Sequence, residues 1–114
     1  MPYIDAKFSV KIDENKEKIL AEKLTNSILE IPGKSVSHLM LNIDDNSKLY
    51  FRGENNEPVA IFEVKIFGSS TKDAYQAMTA KLCEIAKEEL GIDGKNVYVK
   101  FDEVKNWGMD SFMF

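Results

Sequence analysis

Apolar and polar residues alternate from Pro2 to Phe8, with Tyr3, Ile4 and Phe8 among them, and this period of two predicts a strand. Asp13 is placed to cap a helix running to about Glu30. Its apolar positions Ile19, Leu20, Leu24, Ile28 and Leu29 recur at helical spacing, and Pro32-Gly33 stops it. Val36 to Ile43 reads as a second strand and Asp44 to Ser47 as a turn. Leu49-Tyr50-Phe51 reads as a short strand before the polar loop Arg52 to Glu57. Pro58 to Phe67 is strongly apolar and predicts a third long strand with apolar residues on both faces. Ser70 or Thr71 then opens a second helix. It carries Ala74, Ala77, Met78, Leu82, Ile85, Ala86 and Leu90 on one stripe, and Gly91 ends it. Asn96 to Phe101 is the last long strand, and the tail from Trp107 to Phe114 is apolar.

The order strand, helix, Gly-Lys turn, strand occupies residues 2–43 and recurs in 58–101, with Gly33-Lys34 and Gly94-Lys95 before the two closing strands. Two such β-α-β units predict an α/β fold of ferredoxin-like kind: a four-stranded sheet with both helices on one face. The other face then needs a cover, and apolar residues on both faces of 59–67 predict that another copy supplies it. A monomer with a partly exposed sheet is the competing expectation.

The 114 residues suit a single domain, 1–114, and 44% hydrophobic residues can fill one core. A net charge of −4 argues against nucleic acid as a partner, because no basic excess exists to neutralise phosphates. No 18-residue apolar run occurs, so no membrane span is expected. No basic-then-apolar leader is visible, so a cytoplasmic location is the expectation. The lone Cys83 excludes an internal disulfide, and with His38 as the one histidine no His- or Cys-rich metal site is expected.

The chemistry that remains is at the start. Cells usually clip an initiator Met that precedes proline, and clipping here would expose a secondary amine on Pro2. A free α-amine titrates near 7.7–8.0, and burial or a nearby cation lowers that. Such an amine can serve as a general base at neutral pH. With Met1 in place the Pro2 nitrogen is an amide and cannot.

Four features stand in order: Pro2 opening a strand, Gly33-Lys34 after the first helix, Tyr98 in the last strand, and an aromatic tail. The stretch Tyr50 to Ala60 resembles a Phe-Gly-Gly-Ser-x-x-Pro-x-Ala pattern, with Arg52 in place of the first glycine. Asn96-Val97-Tyr98-Val99 resembles Arg-Val-Tyr-Ile, and Asn106-Trp107 a Gly-Trp pair. Along essentially its whole length the chain thus resembles the macrophage migration inhibitory factor family of the tautomerase superfamily.

The resemblance implies the tautomerase fold, a homotrimer with sites between subunits, and keto–enol tautomerisation of aromatic α-keto acids such as phenylpyruvate, without a cofactor. It implies Pro2 as the catalytic acid/base. It also implies Lys34 as the group that binds the substrate carboxylate or polarises its carbonyl, and that depresses the proline amine. Tyr98 would line the pocket from a neighbouring subunit, Phe67 would form a wall where the family usually has Ile, and Trp107 and Phe112 would form the rim. Each has a plainer reading: Pro2 as the start of an edge strand, Lys34 as a solvated lysine, and the aromatics as core or interface. Some relatives are cytokines, so a binding or signalling protein with a receptor partner, leaving the cell by a leaderless route, is the alternative. Lys100 and Lys105 depart from the family pattern and would add cations at the pocket mouth. Val59 and Phe62 replace a Cys-x-x-Cys, which argues against redox chemistry, and Cys83 reads as inert packing on the second helix.

Overall fold

The computed structural model describes all residues, 1–114. Strands β1 (Pro2–Phe8), β2 (Met40–Asp44), β3 (Ala60–Phe67) and β4 (Val97–Val104) form one sheet in the order β2-β1-β3-β4. β1 pairs parallel with β2 and antiparallel with β3, and β3 pairs parallel with β4. Each parallel pair is joined by a helix, α1 (Glu14–Ser27) or α2 (Lys72–Leu90). Two short strands, β5 (Gly108–Met109) and β6 (Phe112–Met113), make a small hairpin in the tail. The two β-α-β units, the four-stranded sheet and the paired helices are as the sequence predicts.

The period of two in β1 and β3 is the reason for the layering. Ile4, Ala6 and Phe8 of β1 and Ala60, Phe62, Val64 and Ile66 of β3 are buried under the helices. α1 meets them with Leu20, Leu24 and Ser27, and α2 with Ala74, Met78, Leu82, Ile85 and Ala86. Asp13 caps α1 by accepting from the Lys16 N–H at 2.8 Å, and the Thr71 hydroxyl caps α2 by accepting from Ala74 N–H at 3.1 Å. Gly91 ends α2 in the left-handed region at φ 67°, where a side chain would be strained. Across the layer, Lys16 and Lys23 both reach Glu89, tying α1 to α2.

Several expectations are corrected. Ile19 and Leu29 are exposed, because the buried set is the narrower one of residues 20, 24 and 27 on α1 with Ile28 just beyond it. The second strand begins at Met40, not Val36. Residues Val36–His38 form a 3₁₀ turn that Ser35 caps by accepting from the Ser37 N–H at 3.1 Å. Leu49 to Phe51 makes no ladder; only Phe51 and Glu54 bridge each other across a tight turn. The last strand runs past Phe101 to Val104, in register with the end of β3. Finally, β3 is not apolar on both faces: its open-face residues are Ile61, Glu63, Lys65 and Phe67, so only the two ends of that face are apolar.

Candidate active site at the start of the first strand

Pro2 opens β1 opposite Ile66 and is buried. Proline lacks an N–H, and the first residue of a strand is where that loss costs least. The backbone on either side stays paired: Phe67 N–H donates to the Met1 carbonyl at 3.0 Å. Ahead of Lys34 the chain turns at Gly33, whose φ of 83° suits glycine. That turn sends the half-buried Lys34 side chain to the end of β3, where its ammonium donates to the Phe67 carbonyl at 2.9 Å. Pro2, Lys34 and Phe67 are therefore brought together by β1–β3 pairing and one side-chain hydrogen bond.

Electrostatics here depend on Lys34. No carboxylate pairs with it, unlike Lys7, Lys16, Lys23, Lys87, Lys95 and Lys100. The α-amine of Met1 is held below its ordinary value, first by burial and then by the Lys34 cation. A lysine ammonium carries three donors, so after its bond to Phe67 two remain for an anion.

A cleft of about 480 Å³ opens beside Pro2. Trp107 and His38 line it, with Tyr3, Met40 and Met109. Tyr3 and Met40 reach it together because they are direct partners in the β1–β2 register. His38 lies in the 3₁₀ turn, not in a strand, with its Nδ1 3.2 Å from the Ser37 hydroxyl. Sequence reading named neither Met40 nor Met109 for this wall. The signal for Met40 is a large apolar residue at the first position of a strand that pairs with β1.

The other expected residues lie elsewhere in this chain. Tyr98 pairs with Ile61, whereas Pro2 pairs with Ile66, five residues further along β3. That separates them by roughly 17 Å along the sheet. The cause is strand direction: β4 starts beside the start of β3, while antiparallel β1 starts beside its end. Tyr98 is 61% exposed, its ring set edge-on to Phe51 at 5.0 Å in a separate groove with Leu49, Tyr50 and Ile61. Phe112 is exposed on β6, opposite the cleft residue Met109 but not itself on the cleft wall.

Of the two extra cations, Lys100 is engaged by Asp102 at 3.3 Å. Lys105 has no such partner and shares a concavity of about 490 Å³ with Phe67. No three His, Cys, Asp or Glu side chains stand close enough to hold a metal ion, and burial raises the Cys83 thiol above its ordinary value.

The family model for macrophage migration inhibitory factor matches residues 1–112. Among solved structures, Leishmania major MIF2 superposes with a TM-score of 0.89 at 24% identity, covering 100% of this chain and 97% of that one. The macrophage migration inhibitory factor-like protein of Entamoeba histolytica gives 0.87 at 26% identity, covering 99% and 98%. The homologue from Prochlorococcus marinus gives 0.86 at 25% identity, covering 98% of each. No curated protein sequence matches the chain. A family match over nearly the whole chain, joined to the tautomerase fold, decides the assignment: the chain belongs to the macrophage migration inhibitory factor family.

Proposed function

We propose that the chain is a keto–enol tautomerase for aromatic α-keto acids such as phenylpyruvate, with the Pro2 amine as acid/base once Met1 is removed. The observation that carries this reading is the Lys34 ammonium, unpaired with any carboxylate, beside the start of β1 and 2.9 Å from the Phe67 carbonyl. Removal of Met1 moves the amine one residue deeper, onto Pro2. There the burial of Pro2 and the nearby Lys34 cation, the two influences that lower the Met1 amine, would favour the neutral base.

The steps follow from the groups present. Lys34 takes the substrate carboxylate with its free donors, and Trp107, Tyr3 and Met40 offer apolar surface to the ring in the cleft beside Pro2. The neutral amine removes a proton from the carbon next to the ketone. That C–H electron pair becomes the C=C bond, the carbonyl pair moves onto oxygen, and the proton is returned to that oxygen. A positioned acid/base contributes about 10²–10⁴-fold, and a proton shuttle of this kind requires no cofactor.

The reading includes a homotrimer. Two half-sites at opposite ends of one sheet support it: Pro2 with Lys34 at one end, and the exposed Tyr98 and Phe51 at the other. A second copy would bring its Tyr98 to the first copy's Pro2. A cytokine-like binding role has one observation in its favour, the cluster of exposed Met109, Phe112, Met113 and Phe114 in the tail. Phenylpyruvate turnover by the Met1-free chain and by Pro2→Gly separates the two. The tautomerase reading predicts a fall of about 10² or more in the variant. Absence of turnover in the Met1-free chain would favour the binding role.

A further inference from the structure

We infer that Lys105 is a specificity-determining residue, and that it directs the site toward α-keto acids bearing a second carboxylate. The inference rests on the tautomerase reading above and names a substrate class for that same site.

The Phe67–Gly68 peptide lies between Lys34 and the end of β4. Its carbonyl accepts from the Lys34 ammonium at 2.9 Å, and its N–H, on Gly68, donates to the Val104 carbonyl at 3.0 Å. The C=O and N–H of a trans peptide point in opposite directions. With one hydrogen bond on each, the Lys34 ammonium and the Val104 carbonyl stand about 8 Å apart. Lys105 follows Val104 directly, so its backbone adjoins the N–H side of the peptide whose C=O side holds Lys34. Lys105 is exposed, lines the concavity of about 490 Å³ that also holds Phe67, and pairs with no carboxylate.

Two nearby groups could have spoiled this arrangement, and neither does. Lys100 is the other departure from the family pattern, but Asp102 neutralises it at 3.3 Å. Glu103 lines the same concavity, yet its carboxylate is turned to α2, where it accepts from the Tyr75 hydroxyl at 2.6 Å and the Ser70 N–H at 3.4 Å. One lysine at each side of Phe67 therefore suits a ligand with an anionic group at each end. Lys34 takes the carboxylate beside the ketone and Lys105 the distal one.

The test compares oxaloacetate, an α-keto dicarboxylate, with phenylpyruvate, a monocarboxylate. Met1-free wild type, Lys105→Ala, Lys105→Arg and Pro2→Gly are assayed with both. In Lys105→Ala the ratio of kcat/KM for oxaloacetate to that for phenylpyruvate falls about tenfold, through KM, and Lys105→Arg restores most of it. An unaltered ratio in Lys105→Ala overturns the inference and leaves the tautomerase reading standing. Full turnover of both acids in Pro2→Gly overturns that reading instead. Should the chain turn over neither acid, calorimetric titration with oxaloacetate reads the same point: about tenfold weaker binding to Lys105→Ala supports the role, and equal binding ends it.

Discussion

At the start of β1 the Lys34 ammonium stands near the chain's partly buried α-amine, and burial and that cation both disfavour charge on the amine. Lys34→Ala is expected to raise KM for phenylpyruvate by about ten- to a hundredfold, since it removes a charge-assisted hydrogen bond. Stability of the Met1-bearing chain carries a second signature. The folded amine binds a proton more weakly than the unfolded one, whose ordinary value is 8.0. Between the lowered value and 8.0 the unfolded chain holds more protons, so stability rises with pH across that window. Melting temperature followed through it should rise, and rise less in Lys34→Ala; identical slopes would deny the coupling. Pro2, Lys34 and Trp107 were marked in the sequence as candidates by the family pattern. Met40 and Met109 were not, since their place on the cleft wall follows from strand register and a tail hairpin. Arg52 shows a different kind of departure. It adopts φ 55° in the tight turn between Phe51 and Glu54, a region that favours the glycine of the family pattern, and its guanidinium lies 4.3 Å above the Phe51 ring.

At the scale of elements, the layer between sheet and helices depends on α2. Leu82 is fully buried in the core with Met78, Phe62 and Val64. Leu82→Ala should cost about 2–5 kcal/mol in denaturant unfolding, the range for a large core side chain truncated without collapse. A loss below about 1 kcal/mol would mean that the helix is not packed as described. Helices and central strands were legible because their periods of 3.6 and 2 repeat over many residues and end at clear caps. The short pieces were not. Residues 36–38 carry strand-like composition but are claimed by local Ser35–Ser37 hydrogen bonding. Leu49 to Phe51 has β propensity and no neighbouring strand to pair with. The extension of β4 to Val104 was hidden by Asp102 and Glu103, polar residues that a strand with one open face accommodates.

For the whole molecule, the open sheet face carries charge in its middle and aromatic side chains at both ends. Asp5, Glu63, Asn42 and Lys100 share the middle row and bonds run from it to Lys7 and Asp44, while Tyr3 and Phe67 stand at one end and Tyr98, in the row of Lys7 and Asp44, at the other. A trimer should appear in light scattering at about three times 13.0 kDa. Shared sites make a sharper prediction. Tyr98→Ala and Pro2→Gly chains, each poorly active alone, should regain part of the wild-type rate when unfolded and refolded together, because some mixed sites then hold both native residues. No gain on mixing would place each site within a single chain.

The proposed chemistry turns on the Pro2 amine acting as the base. The most direct measurement is the pH dependence of kcat/KM for phenylpyruvate, taken on samples whose intact mass shows Met1 absent or present. The Met1-free enzyme is expected to lose activity as its amine protonates, at a pH below the 7.7–8.0 of an ordinary α-amine, and the Met1-bearing chain to be inactive. Equal turnover with Met1 retained would contradict it, because the Pro2 nitrogen is then an amide with no lone pair to offer.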